Sequence, residues 1–211
     1  MPPKQLIPVF VLCDESRHVS NSVLASAIES LKSFHKEVVA NPEIESQTRL
    51  SISGFSSSCE EMTPLARPSE VKELLGFQSC GECNFGVAAE NMAKVIDSAV
   101  VSLKTLHSGS GTKLLRPILI LLLGSNPEDD WITKFENLLD RNAYPAPSTF
   151  IYVLPGVDEN NFSTIELIAN KQTNFCNRVN DWSMVTSGAI NVLRQSLLGV
   201  ETKTLSLASE N

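Results

Sequence analysis

The segment at residues 117–123, which reads PILILLL, constrains the fold more than any other part of the chain. A run of this length without a polar position is typical of a strand that is buried on both faces, at the centre of a parallel sheet. Apolar runs at residues 7–13 and 149–154 predict two more buried strands. Between these runs, apolar residues recur at helical spacing and predict amphipathic helices. The predicted helices span residues 20–40, 85–107, 126–141, 160–169 and 181–198.

Strands that alternate with long helices predict parallel strands joined by right-handed crossovers. The expected fold class is therefore α/β and doubly wound, with a mostly parallel central sheet flanked by helices. The alternating segment at residues 49–55 predicts a half-exposed strand, and residues 174–178 predict a short one. Residues 62–65 predict another short strand, which Pro64 confines to an edge or an end. We expect one short antiparallel strand at the edge of the sheet.

Composition excludes several classes of protein. The chain has 211 residues, a net charge of −7 and no cluster of lysines or arginines, which argues against a nucleic-acid binder. No apolar stretch reaches the roughly 18 residues that a membrane-spanning helix needs. We expect one domain at residues 6–198, followed by a polar, flexible tail at residues 199–211. The start of the chain lacks the features of a signal peptide, and five cysteines cannot all pair, so we expect a cytoplasmic protein with reduced thiols.

Three loops are the candidates for a functional site, because ligands of doubly wound sheets bind at the carboxyl ends of the strands. The first loop follows Cys13 and reads DESRH. The second is residues 80–86, which read CGECNFG and open a long helix. The third follows Leu123 and reads GSNPEDDW. In the third loop, Asn126 is a potential cap, and Pro127 with the acids after it is typical of a helix start.

Together these loops resemble the von Willebrand factor A domain, and within it the TerY-like group of tellurium-resistance and stress-response proteins. The resemblance covers residues 6–198. In that family the first strand runs into a D-x-S-x-S loop, a Gly-Thr-containing turn opens the third helix, and a later strand ends in a D-G-x-P-T-D-D-W-like segment. The residues that indicate the TerY-like group are Pro127, Asp129, Asp130 and Trp131.

The resemblance implies a metal-ion-dependent adhesion site that uses carboxylate and hydroxyl oxygens to hold a divalent cation. Asp14 and Ser16 match the first two positions of that motif. His18, Cys83 and Gly124 stand where the family has a serine, a threonine and a second aspartate, although a slip of one position would place Asn84 at the threonine. Loss of the second acid predicts a degenerate site, with weak or absent binding of divalent cations and no cofactor.

Each candidate also has a simpler interpretation. Asp14 either binds a metal or caps the backbone amides of the turn. Cys80 and Cys83 are ordinary loop cysteines, a labile disulfide or part of a metal site. Asp14, His18 and Cys83 together would suit zinc, if the three side chains converge. We expect no bound metal, and we regard Asp14 and Ser16 as the remnant of the metal-binding motif.

By the resemblance, the chain is a non-enzymatic adaptor of a bacterial stress-response system. Its partner would be a Ser/Thr kinase, a phosphatase or another Ter-type protein. No catalytic residue is predicted, because the sequence has no nucleophile-elbow triad, no phosphate-binding glycine loop and no dinucleotide fingerprint. An alternative is a metal- or redox-responsive switch that uses Cys80, Cys83, His18 and Asp14. The expected partner-binding residues are Asp14, Ser16, Arg17, His18, Glu82, Cys83, Asn84, Phe85, Ser125 and Asn126.

Overall fold

A computed structural model describes residues 4–72, 74, 76–140, 142 and 145–198. In this part of the chain, strands and helices alternate, and two short 3-10 turns occur at Pro68–Glu70 and Trp182–Met184. The strands are β1 (Gln5–Asp14), β2 (Thr48–Phe55), β3 (Cys59–Ala66), β4 (Lys113–Leu114), β5 (Ile118–Leu123), β6 (Ser148–Val153) and β7 (Phe175–Arg178). The helices are α1 (Asn21–Ala40), α2 (Pro42–Gln47), α3 (Phe85–Leu106), α4 (Ile132–Leu139), α5 (Glu159–Lys171) and α6 (Val185–Leu197).

The described strands form one sheet in the order β3-β2-β1-β5-β6-β7, with β4 beside the amino end of β1. All pairs are parallel except β2 with β3, so the prediction of a mostly parallel sheet with one antiparallel edge strand is confirmed. The edge strand β3 carries Pro64 and two irregularities in its register with β2. Proline and bulges of this kind discourage edge-to-edge pairing with another chain.

Two apolar clusters cover the two faces of the sheet. On one face, Val9 and Val11 of β1 pack with side chains of α1 and α6. On the other face, Phe10 and Leu12 pack with side chains of α3, α4 and α5. The alternation along β1 explains this division, because successive side chains of a strand point to opposite faces. All residues of β5 are buried, as the apolar segment predicts.

Local sequence sets the ends of α1. The Ser20 hydroxyl accepts a hydrogen bond from the Val23 N–H at 3.4 Å and caps the first turn. The helix ends at Ala40 because Asn41 precedes a proline, and the Asn41 side chain then accepts the Ile44 N–H at 3.3 Å to begin α2. Helix α2 and the two-residue strand β4 were not predicted from the sequence.

Two sequence predictions about secondary structure need correction. Strand β2 is not half-exposed: Ser51 and Ser53 are buried, and the Ser51 hydroxyl donates a hydrogen bond to Glu61 at 3.1 Å. The helix predicted from residue 126 begins only at Ile132, because the acids before it bind another part of the chain. Its predicted end at residue 141 and the predicted tail at residues 199–211 lie outside the described residues.

None of the helices in the described ranges contains an apolar stretch long enough to cross a bilayer.

Candidate functional site

The site lies where the chain leaves the sheet in opposite directions. Strands β1 and β5 are neighbours, and Cys13 of β1 pairs with Leu122 of β5. From β1 the chain crosses to β2 on one side, and from β5 it crosses to β6 on the other. A crevice therefore forms at the carboxyl ends of β1 and β5, the place where doubly wound sheets bind ligands.

Asp14, the last residue of β1, is the centre of this site and is fully buried. Its Oδ1 atom accepts a hydrogen bond from the Ser16 N–H at 2.9 Å. Its Oδ2 atom accepts one from the Gly124 N–H at 3.0 Å and one from the Ser125 hydroxyl at 2.7 Å. Hydrogen bonds of this kind are what make a buried carboxylate tolerable. In these contacts Asp14 caps backbone amides, which is one of its two interpretations.

Ser125, rather than Gly124, is the residue after β5 that faces Asp14. A Cβ atom added at Gly124 would lie 2.8 Å from Val19 and 3.4 Å from Trp182, so a side chain there would meet apolar neighbours. The Ser125 hydroxyl, by contrast, lies within hydrogen-bond distance of Asp14 and 2.8 Å from the Ser16 hydroxyl. The sequence comparison with the family motif placed the missing acid at Gly124, one position before the residue whose side chain reaches the site.

The two cysteines of the second loop have different surroundings. Cys83 is fully buried, and its sulfur lies 3.8 Å from Oδ2 of Asp14. Burial and the negative charge of Asp14 raise the pKa of the Cys83 thiol, so it stays protonated and donates. Cys80 is exposed and contacts the Ser56 hydroxyl at 3.4 Å. Both are free thiols in the structure, so a disulfide between them is not formed.

His18 does not join Asp14 and Cys83. Its Nε2 atom lies 3.4 Å from a carboxylate oxygen of Glu128 and 3.4 Å from Nε of Arg17. Within the described residues, no three or more histidines, cysteines or acids are grouped so that they could hold a metal ion. The zinc site proposed for Asp14, His18 and Cys83 is therefore wrong, because the imidazole lies on the exposed side of the loop.

The acids of the third loop bind the second loop instead of starting their own helix. Glu128 accepts the Cys83 N–H at 2.8 Å, and Asp129 accepts the N–H groups of Gly86 and Val87 at 2.9 and 3.0 Å. Asp129 thus caps the amino end of α3, whose free N–H groups and positive dipole end favour a carboxylate. A Cβ atom at Gly86 would lie 2.5 Å from the backbone oxygen of Asp130, so this close approach requires glycine.

A short segment before Cys83, residues 78–81, is hydrogen-bonded to the first loop, and we call it the strap. The Cys80 N–H donates to the Glu15 backbone oxygen at 2.9 Å, and the Arg17 N–H donates to the Gly81 oxygen at 3.0 Å. Gly81 has a φ of 61°, a left-handed conformation that favours glycine. Glu15, Gln78 and Ser79 were missed as parts of the site, because residue types alone do not show that residues 63 positions apart are hydrogen-bonded.

The predicted partner-binding residues divide into buried and accessible groups. Asp14, Ser16, Cys83, Phe85 and Ser125 are buried. Phe85 packs between Phe55, Trp131 and Phe135, with ring centroids 5.0 to 5.9 Å apart, so its inclusion among surface contacts was wrong. The accessible or partly accessible residues are Arg17, His18, Glu82, Asn84 and Asn126, and we call these five side chains the rim.

The rim is fastened to the loops around it. Arg17 and Glu82 form an ion pair at 3.4 Å between the first and second loops. The Asn84 amide donates to the Ser57 backbone oxygen at 3.3 Å. Asn126 accepts the Asp158 N–H at 2.8 Å, which joins the third loop to the loop after β6. The rim is therefore a polar surface on loops that are tied to one another.

Comparison with known proteins shows the fold but not a family. Neither a protein-family model nor a curated protein sequence matches the chain. Proximal thread matrix protein 1 from the mussel byssus, solved with a zinc-occupied MIDAS motif, superposes with a TM-score of 0.64 at 14% identity over 90% of this chain and 48% of that chain. The PilB minor pilin of Streptococcus sanguinis (a D319A mutant) gives a TM-score of 0.61 at 9% identity over 96% and 65%.

The ArnB paralog VWA2 from Sulfolobus acidocaldarius is also similar, with a TM-score of 0.50 at 14% identity over 88% of this chain and 44% of that chain. The chain thus spans between about half and two thirds of the length of these structures. The sheet order and these likenesses together show a von Willebrand factor A-type fold.

The divalent cation that this fold implies does not fit the residues at the site. Hard cations need several oxygen ligands, usually including more than one carboxylate. Both oxygens of Asp14 already accept hydrogen bonds, and the neighbouring acids Glu128 and Asp129 are bonded to N–H groups of the second loop. The hydroxyls of Ser16 and Ser125 are bonded to each other, and Cys83 offers a protonated sulfur.

Proposed function

We propose that this chain is a non-enzymatic protein-interaction module that contacts its partner through the rim. What supports the proposal is the contrast between the buried site and the side chains above it. The groups with potential chemistry, Asp14, Cys83 and Ser125, are inaccessible. The groups that reach solvent, such as Arg17 and Glu82, are hydrogen-bonding side chains with more than half of their area exposed. Recognition is therefore the activity best suited to this edge of the sheet.

The observation that carries the proposal is the network around Asp14, because it joins the three loops that bear the rim. Asp14 is bonded to the first loop through Ser16, to the third loop through Gly124 and Ser125, and to the second loop through Cys83. A surface that is ordered before binding loses less conformational entropy when a partner docks. The network thus pre-organises the rim.

An enzymatic role lacks support from this geometry. Nucleophilic catalysis by serine or cysteine needs a base within hydrogen-bond reach of the nucleophile. The Ser16 and Ser125 hydroxyls contact each other and Asp14, whereas the nearest histidine in sequence, His18, contacts Glu128. Burial also raises the pKa of Cys83, the opposite of what an activated thiol needs.

The partner class follows from the resemblance of the third loop to TerY-like proteins. Pro127, Asp129, Asp130 and Trp131 carry that resemblance, and Asp129 holds the amino end of α3 in place. We infer a role in a bacterial stress response of the tellurite-resistance type, with a Ser/Thr kinase, a phosphatase or another Ter-type protein as partner. We also expect a cytoplasmic location, where the five free cysteines would remain reduced.

The test is a binding measurement with purified kinase and phosphatase from the same stress-response system. Arg17→Ala and Glu82→Ala remove exposed charges of the rim. Lys113→Ala and Glu37→Ala remove exposed charges elsewhere, Lys113 beside the amino end of β1 and Glu37 on α1. We expect the rim variants to weaken binding by about tenfold, the equivalent of ~1.4 kcal/mol, and the control variants to bind as the wild type does.

Two results would overturn parts of this proposal. If the wild-type chain binds none of the candidate proteins, the partner class is wrong. If rim and control variants bind equally well, the partner contacts another surface.

A further inference from the structure

We infer that the Ser125 hydroxyl, with the N–H groups of Ser16 and Gly124, takes the place of a cation at Asp14, so that the rim is assembled without metal. This inference rests on the proposed function, since it concerns how the same surface is held together. The rim would be in its binding-competent arrangement at any concentration of magnesium, manganese or zinc.

First, both carboxylate oxygens of Asp14 already accept hydrogen bonds from the protein. Three protein donors approach its two carboxylate oxygens within 3.0 Å, two at Oδ2 and one at Oδ1. Backbone N–H and hydroxyl groups that converge on a carboxylate stabilise its charge as strong, charge-assisted hydrogen bonds. A cation bound at Oδ2 would compete with the Ser125 hydroxyl and the Gly124 N–H for that oxygen.

The second argument concerns charge. Among the described residues, Asp14 forms no ion pair with a lysine, arginine or histidine. The other acids of this edge are engaged elsewhere: Glu128 accepts the Cys83 N–H, and Asp129 caps α3. A divalent cation at Asp14 would therefore find the nearby carboxylates of Glu128 and Asp129 already bonded to N–H groups of the second loop. The sulfur of Cys83 is a poor ligand for magnesium or manganese.

The third argument is access. Asp14 and Ser16 are fully buried, and Ser125 is 2% exposed. The strap holds the backbone on both sides of Ser16, through the Ser79 hydroxyl to the Ser16 oxygen at 3.3 Å and the backbone bonds of Cys80 and Gly81. A cation that a partner's acid completes would need an open coordination position, and the buried side chains here do not offer one to solvent.

The test compares Ser125→Asp with Ser125→Asn in the full chain by thermal melting, with wild type as the baseline. The aspartate sets a second negative charge against Asp14, and two such carboxylates repel unless a cation lies between them. The asparagine has nearly the same shape without the charge. Each protein is melted in EDTA and in millimolar Mg²⁺, Mn²⁺ or Zn²⁺.

We expect the wild type and Ser125→Asn to melt at the same temperature with and without cations. Ser125→Asp should melt lower in EDTA, and Mn²⁺ should raise its Tm by roughly 5–10 °C when the ion is about 100 times above its dissociation constant. If Ser125→Asp folds only when Mn²⁺ is present, the inference is also supported, because the ion then replaces the missing hydroxyl.

Two outcomes would overturn the inference. One is a cation-dependent Tm in the wild type, which would mean that the native site holds metal. The other is a Ser125→Asp variant that Mn²⁺ fails to stabilise or to fold while Ser125→Asn folds normally, because the pocket rather than the hydroxyl would then exclude the ion. Neither outcome touches the rim, so partner binding in EDTA separates failure of this inference from failure of the proposed function.

Discussion

Among the residues that the structure describes, two carboxylates lie almost out of contact with solvent, Asp14 at the carboxyl edge of the sheet and Glu45 in α2. Glu45 is paired with a cation: the Arg67 guanidinium lies 2.6 Å from one oxygen, and the Ser69 hydroxyl lies 2.6 Å from the other. Asp14 instead receives hydrogen bonds from neutral donors. The molecule thus stabilises a buried carboxylate in two ways, with a cationic side chain at Glu45 and with neutral donors at Asp14. The neutral donors occur at the position where the fold would lead one to expect a metal.

The two carboxylates differ in whether their hydrogen-bond donors can turn to water. The donors around Asp14 are buried, whereas the main donor to Glu45 is partly exposed. Arg67 has 44% of its side chain exposed and turns to water at little cost if its partner is lost. The N–H groups of Ser16 and Gly124 are backbone groups and cannot turn. Changes at Asp14 should therefore cost more stability than equivalent changes around Glu45.

The largest effect is expected for Asp14→Asn. Either orientation of the new amide sets its N–H2 group against the backbone N–H of Ser16 or of Gly124, which leaves buried donors without acceptors. We expect the free energy of unfolding to fall by about 3 kcal/mol in urea denaturation. Glu60→Gln, an exposed acid on β3, is the control and should change it by less than about 0.5 kcal/mol. Equal losses of stability in Asp14→Asn and Glu60→Gln would show that the hydrogen bonds of Asp14 do not stabilise the fold.

A smaller loss of stability than for Asp14→Asn is expected for Arg67→Ala, because the change leaves Glu45 charged and unpaired but with Ser69 still bonded to it. Adding Glu45→Gln to this variant should restore part of the stability, since no unpaired charge remains. Chemical denaturation of both single variants and the double variant measures the coupling. Additive losses would show that the ion pair contributes nothing beyond its separate partners.

The pair Glu45–Arg67 also predicts a dependence on pH. The hydrogen bond from Arg67 is the main cause that lowers the pKa of Glu45 below its ordinary value, with Ser69 adding to it. A carboxylate with a lowered folded pKa stabilises the protein above its unfolded pKa of about 4.3, and this contribution disappears as pH falls through the folded value. The stability difference between wild type and Glu45→Gln should therefore narrow below about pH 4.5. A difference that stays constant from pH 7 to pH 3 would contradict this account.

The smallest loss of stability is expected for Asp129→Asn. Like Asp14, Asp129 accepts hydrogen bonds from neutral donors, but it is only partly buried. Asp129 accepts two N–H groups at the amino end of α3, and loss of its charge should cost about 1 kcal/mol. Asp130→Asn, at the exposed next position, is the matched control and should have almost no effect. If both variants lose the same stability, Asp129 does not act as a cap.

Much of the fold follows from apolar patterning. The uninterrupted run of β5 and the helical spacing of α1 and α3 are signals that each element carries within its own residues. The meeting of three loops at one edge also follows, because parallel strands joined by crossovers bring their carboxyl ends together. Strand β2 was misjudged because Ser51 and Ser53 suggest an exposed face, although small hydroxyl side chains are buried easily when they are hydrogen-bonded.

The site itself was harder to predict, because it depends on which way a side chain points at a strand end and on contacts between residues far apart in sequence. Whether Gly124 or Ser125 faces Asp14 depends on the direction of a Cβ atom at the end of a strand, which residue types do not reveal. The acids at 128 and 129 have the residue types of a helix start, yet their partners lie 42 to 45 residues earlier in the chain. A contact over that separation is a property of the assembled loops.

The most direct test of the central claim is the metal content of the wild-type chain. The protein would be purified without chelator, analysed for bound elements, and titrated calorimetrically with Mg²⁺, Mn²⁺ and Zn²⁺. The account predicts far less than one metal ion per chain and no heat of binding, because both oxygens of the buried Asp14 carboxylate are already bonded to donors of the protein. Stoichiometric metal, or a saturable heat that Asp14→Asn abolishes, would contradict it and return this edge of the sheet to the chemistry of a cation site.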